Sequence, residues 1–196
     1  MKLRHLLAAF AFVPASMASS SDTTGDWGVD TATSAVHYVS IKKDHVAERH
    51  FIGDVSGSLS ENGKIVVTLG MASVSSGVDV RDKRLREILF DVSDHPMATF
   101  TGEIDMSEFE DLTVGETIES YVEGEIELVG VETFLDFDVN VTRVAENKVI
   151  VTTLGPILLD AAELELDSGI EQLREIAKLP SISLAVPVFL TVSFTR

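Results

Sequence analysis

The chain has 196 residues, 45% of them hydrophobic, which supports one packed core and is short for two. Its 32 acidic side chains against 15 basic ones give a formal charge of −17 at pH 7, a field that repels DNA, RNA and anionic lipid surfaces. There is no cysteine, so disulfides, thiol catalysis and cysteine-based zinc or iron–sulfur sites are excluded, and stability must come from packing.

The N-terminus reads as an export signal. Lys2 and Arg4 precede an apolar run from Leu6 to Val13, and Pro14-Ala-Ser-Met-Ala18 then supplies a small-x-Ala cleavage site. The run is too short to span a bilayer, which takes about 20 residues. Residues 1–18 are therefore expected to be a signal peptide, 19–26 a polar leader and 27–196 the folded domain. Loss of Lys2 and Arg4 takes the mature charge to −19. No cysteine is present to carry a lipid anchor, so a soluble periplasmic protein with no integral membrane segment is expected, and a homodimer is left open.

Trp27-Gly-Val-Asp30 enters the fold. A first strand spans Val36 to Ile41, with apolar residues on both sides. Phe51, Val55 and Leu59 share one face of a second strand, which ends at the hairpin signal Glu61-Asn62-Gly63. Ile65, Val67, Leu69 and Met71 alternate with Lys64, Val66, Thr68 and Gly70 in a third. The stretch from Ala72 to Ile104 then reads as a strand end, a turn, a short helix and a new strand. Leu85, Ile88 and Leu89 fall on one helical face, ringed by Arg81, Lys83, Arg84 and Arg86. Pro96 ends that connection, and Ala98, Phe100, Ile104 and Met106 follow at even spacing.

Farther on, Ile118, Val122, Ile126 and Leu128 alternate with glutamates, and Leu135, Phe137, Val139 and Val141 alternate with Asp136, Asp138 and Asn140. Glu146-Asn147 turns the chain into a strand from Val149 to Leu154. Ser168-Gly-Ile-Glu171 has the pattern of a capping box, opening a second short helix with Ile170, Leu173, Ile176 and Ala177 on one face. The last strand runs from Leu184 to Phe194, and Pro187 within it suggests an edge or a bulge. The total is about eight antiparallel strands and two short helices. Such strands must close or stack to hide their edges. A two-sheet sandwich satisfies the pattern too, but an all-β antiparallel barrel is the expected fold. At eight strands its interior is just wide enough for side chains or one slender ligand.

Candidate chemistry is sparse. His37, His45 and His50 match no metal-ligand spacing, so no metal site is assigned. There is no G-x-S-x-G elbow or phosphate loop, and most carboxylates sit on outward strand faces, so no catalytic residue and no enzymatic reaction are assigned. Arg81 and Arg84 belong to a charge run that is either a solvated helix face or a cationic rim for a lipid head group. Val39, Phe51, Val55, Leu69, Leu89, Phe90, Phe100, Ile104, Phe134 and Phe137 either line a tunnel or fill a core. Periodicity does not choose between the two.

The central stretch also carries a resemblance. Ser73-Val74, Val80-Arg81-Asp82, Arg84-Leu85-Arg86 running into Leu89-Phe90, and Pro96 shortly before Phe100 resemble the signature of the YceI-like family. These are the polyisoprenoid-binding, lipocalin-like proteins of the bacterial periplasm. Lys42, the run of Val46, Glu48, His50 and Phe51, and the stretches 161–166, 169–177, 180–183 and 185–188 resemble one branch of it. The resemblance implies a lipocalin-like barrel whose tunnel holds an isoprenoid or other apolar lipid, such as a quinone or polyprenol, and a carrier or sequestering role. The lipid would be a ligand, with no cofactor besides. A ligand-free barrel with a packed core is the alternative. The helix from Gly169 to Lys178 departs from the shorter loop of many members, and the acidic charge favours a neutral head over a pyrophosphate.

Overall fold

The structure, a computed structural model, describes residues 26–196. The expected signal peptide and the leader up to residue 25 lie outside the described residues. The strands are β1 (Trp27–Val29), β2 (Ala35–Lys42), β3 (Val46–Ile52), β4 (Val55–Leu59), β5 (Lys64–Gly70), β6 (Met97–Glu103), β7 (Thr117–Leu128), β8 (Val131–Ala145), β9 (Lys148–Thr153), β10 (Ile157–Asp160) and β11 (Ala185–Thr195).

Three pairs of these segments are single strands with a break in them. β1 and β2 run along one edge of β11, where Gly28 faces Thr195 and Ala35 faces Thr191, and a helical turn at Thr31–Thr33 separates them. β3 and β4 continue each other against β2 and β1, and β9 and β10 follow the opposite edge of β11. Counting each pair once gives an eight-stranded up-and-down barrel in which every neighbour is antiparallel. It closes through β1, which bonds to both β4 and β11. Closure removes the free edges that an open sandwich would leave. The barrel is thus the observed solution.

The turns follow local chemistry. At 61–63 the Gly63 N–H donates to the Ser60 carbonyl at 3.0 Å, and at 146–147 Ala145 pairs directly with Lys148, so both expected hairpins form. Between β7 and β8 the two-residue turn is Val129-Gly130, with φ of 54° and 76°. A β-branched residue rarely adopts that conformation, so this turn gives no signal in the sequence. Packing of Val129 against the core beneath the helices offsets its cost.

Both helices differ from the expected pattern. α1 (Asp79–Arg84) continues into a wider turn at Leu85–Leu89, closed by the Phe90 N–H donating to the Leu85 carbonyl at 3.0 Å. The five-residue closure carries Phe90 inward, so the inner face is Leu85, Leu89 and Phe90, without Ile88. α2 (Asp167–Ile176) begins before the expected cap. Ser168 lies inside it, Leu166 holds the cap position with no side-chain bond, and Glu171 pairs with Arg174 at 2.6 Å. Burial of Leu164 and Leu166 draws the chain in and starts the helix early. Ile170 is buried and Leu173 packs beside it, but Ile176 is 45% exposed and Ala177 is also exposed, so the expected apolar stripe covers only the first half. Pro187 sits where β11 is flanked by β10 alone, since pairing with β2 starts at Val188. This is the edge position its missing N–H requires.

The interior divides into two buried clusters. One, around Met71, Val74, Leu85, Phe90, Leu164 and Ile170, lies under the helices. The other, around Trp27, Val55, Leu112, Val139 and Phe194, fills the opposite end. Leu69 packs against both.

Candidate ligand-binding cavity

A cavity of about 220 Å³ runs through the barrel between these clusters. Apolar cavities of roughly 150 Å³ stay dry and accept small apolar molecules, so this lumen is a hollow interior and more than a packing defect. It is smaller than the roughly 300–1,000 Å³ of ordinary ligand pockets. A slender chain suits it better than a fused-ring molecule. Leu166, Ile170, Leu89 and Phe90 line its helix end, and Phe109 lies at the other. Among the lining side chains only Tyr38 and Ser120 carry polar atoms, and the Ser120 hydroxyl donates to Glu108 Oε2 at 3.1 Å.

The lumen wall explains how a Phe-rich barrel stays hollow. Gly102 on β6 and Gly124 on β7 face each other across the ladder, and the Phe100 ring lies against both. A Cβ at Gly124 would come within 2.7 Å of Phe100 Cζ and 2.3 Å of the Thr101 carbonyl oxygen. The two glycines form a recess that holds the ring along the wall. Phe137 completes the wall there, its ring centroid 5.7 Å from that of Phe100.

Above the lumen, the β2–β3 hairpin continues past the barrel. Its inner face changes from apolar to mostly polar along the strand: Val36 and Ile52, then Tyr38 and His50, then Ser40 and Glu48, then Lys42 opposite Val46. Tyr38 stacks on His50 with ring centroids 4.8 Å apart. His50 is 3% exposed, and neither of its ring nitrogens nor the Tyr38 hydroxyl has a hydrogen-bond partner. Burial, and then the nearby Arg81 cation, hold the imidazole below its ordinary pKa, which favours the neutral ring. Burial pushes the Tyr38 phenol up, so it remains a donor. Arg81 itself is paired with Glu48, which also accepts from Lys42 at 2.7 Å. Buried Asp82 is held by Ser75 and Ser76, its Oδ1 accepting from the Ser76 N–H at 2.6 Å. Each of these charged groups has a hydrogen-bond partner, and the orphaned groups are the neutral ones.

Of the expected site residues, Leu69, Leu89, Phe90, Phe100, Ile104 and Phe137 line the lumen. The others are placed elsewhere. Phe134 is 59% exposed, because its strand neighbours Leu135 and Phe137 take the inner face and alternation sends it out. Phe51 is 42% exposed: the break at Gly53-Asp54 resets the alternation, so Val55 and Leu59 point in and Phe51 points out. Val39 shares the outer face with its partner Arg49. Val55 is fully buried in the lower cluster without reaching the lumen, and Arg81 and Arg84 do not line it. His37 and His50 lie on opposite faces of the hairpin, and among the described residues no group of His, Asp or Glu could hold a metal. Sequence reasoning missed Tyr38 and His50 as a pair. The one available signal was their even spacing with Val36 and Ile52.

An antiparallel eight-stranded barrel around an apolar tunnel, with helices covering one end, defines a lipocalin-like binding fold. The YceI-like domain model matches residues 27–194, and the chain belongs to that family. A polyisoprenoid-binding domain from Saccharophagus degradans, implicated in plant cell wall breakdown, is 35% identical with a TM-score of 0.83. The match covers 87% of this chain and 98% of that one. BcnA of Burkholderia cenocepacia has the same fold at 17% identity, with a TM-score of 0.66 over 84% of this chain and 98% of its own. The YCEI protein of Campylobacter jejuni is 14% identical with a TM-score of 0.52, over 100% of this chain and 91% of its own. No curated protein matches the chain.

Proposed function

We propose that the protein binds an isoprenoid lipid with a neutral head, of quinone type, and carries or sequesters it in the periplasm. The observation that carries this reading is an apolar lumen that ends at an orphaned, buried Tyr38 hydroxyl stacked on a neutral His50. A quinone carbonyl would accept from that hydroxyl while its chain lay along Leu69 and Phe100. The Saccharophagus domain, with its polyisoprenoid-binding role, supports the same ligand class. A pyrophosphate head suits the site less well, because Arg81 and Lys42 are already committed to Glu48 and the chain is strongly acidic. The reading is one of binding, with no reaction assigned.

Native mass spectrometry with ubiquinone, a polyprenol and a polyprenyl pyrophosphate tests this. A stoichiometric quinone complex is expected, with affinity well above that for the pyrophosphate. Tyr38→Phe should weaken quinone binding by about tenfold, the value of one hydrogen bond of roughly 1.5 kcal/mol. Equal affinity for quinone and pyrophosphate at low salt overturns the neutral head. A protein that takes up none of the three is a ligand-free barrel.

A further inference from the structure

The barrel wall is not equally strong all the way round. Along β8 the ladder to β9 starts at Val139, opposite Thr153, and one more bond runs from the Leu154 N–H to the Asp138 carbonyl at 2.9 Å. The chain then turns away at Gly155-Pro156, and β10 bonds to β11 alone. Residues 131–137 of β8 therefore have no ladder partner on that edge among the described residues, although they remain paired to β7 on the other. Seven residues at about 3.4 Å each leave a seam roughly 24 Å long. Along most of the wall, as between β5 and β6 or β7 and β8, opening would break ladder hydrogen bonds. Here it breaks none.

The seam holds a groove of about 230 Å³ between β8 and β10. Leu135, Ile157, Leu159 and Leu164 line both this groove and the lumen, so only these side chains separate the two. Outside, each lip carries an exposed apolar residue: Phe134 on β8 is 59% exposed and Leu158 on β10 is 73% exposed. Asp136, Asp160 and Glu163 surround the groove with negative charge.

We propose that the β8–β10 seam is a lateral portal through which the apolar chain of the ligand enters and leaves the lumen. Leu135, Ile157, Leu159 and Leu164 part by side-chain motion and slight widening of an unbonded seam, and Phe134 and Leu158 give the chain its first apolar contact. The carboxylates at the rim admit an uncharged chain and turn away an anionic head. The ligand therefore enters sideways with its head at the Tyr38 end, and the helices over the mouth do not have to unfold. This inference rests on the proposed lipid function and adds the route to it.

The chain has no cysteine, so Leu158→Cys provides a single labelling site on one lip. The same protein would be compared free, carrying a bulky disulfide-linked label, and after reduction, with uptake and release of a radiolabelled two-isoprene ubiquinone followed by rapid filtration. The label should slow both association and dissociation at least tenfold and leave the equilibrium constant within twofold. Reduction should restore both rates, and the same label at Val144→Cys, 40% exposed on the far part of β8, should change neither. Unchanged rates in the labelled protein, with normal equilibrium binding, overturn the portal and leave the lumen reading intact. Failure of the unlabelled protein to bind quinone overturns both.

Discussion

At the scale of single residues, His50 ties stability to pH. Its folded pKa lies below the ordinary 6.5, first through burial and then through Arg81, against the opposing pull of Glu48 and Asp82. Between the folded and unfolded values the unfolded chain binds more protons, so stability falls as pH drops from about 6.5 through the folded value. Glu48 and Asp82 also have lowered values, and their contribution is lost only as pH falls below the ordinary carboxylate range. The two windows are separate. His50→Phe keeps a ring against Tyr38 and removes the ionisation, so its urea midpoint should stay nearly flat from pH 7 to 5.5 where the wild type declines. Parallel decline of the two proteins would mean that His50 does not carry the upper window.

At the scale of elements, β7 shows what periodicity conveys and what it does not. Its alternation, with Glu119, Glu123, Glu125 and Glu127 outward, is plain in the sequence and is realised in full. The cost appears only with the register: Glu123 stands directly between Glu103 of β6 and Asp136 of β8, three like charges in a row on the outer face. Glu123→Lys converts two repulsive pairs into attractive ones and should stabilise by about 0.5–1 kcal/mol at low ionic strength. The gain, read from urea midpoints, should shrink in 0.5 M salt, where screening acts within a few ångströms. No gain at low salt would show that the outer carboxylates do not interact. Strands with one unbroken alternation were legible in this way, and with them the barrel. Phe51 leaves the inner face just before the break at Gly53-Asp54, and Ile88 leaves it inside the widened turn at Leu85–Leu89. Phe134 and Val39 lie within unbroken strands and take the outer side of the alternation. Ser168 and Glu171 match a cap whose helix begins earlier because buried leucines draw it in. Tyr38 and His50 were not legible as a site because their meaning depends on the partners they lack.

At the scale of the whole molecule, the barrel has two cores joined mainly through a hollow middle. The upper cluster is held by helices and the lower by the closing strands, and the lumen passes both. A chain lying in the lumen touches each cluster, so it must stabilise the molecule as one unit. It should not merely tighten one end. Binding only the folded state adds about 2.7 kcal/mol when free ligand is at 100 times Kd. For a domain of this size that corresponds to a rise in Tm of about 5–10 °C. Hydrogen exchange should then slow at both ends together, at Leu128 and Ala98 beside the upper cluster as well as at Val139 and Val192 in the lower. A ligand that bound only beneath the helices would protect the upper set and leave the lower at its free rate. Protection at both ends with a single melting transition is the outcome expected of a chain that runs the length of the barrel.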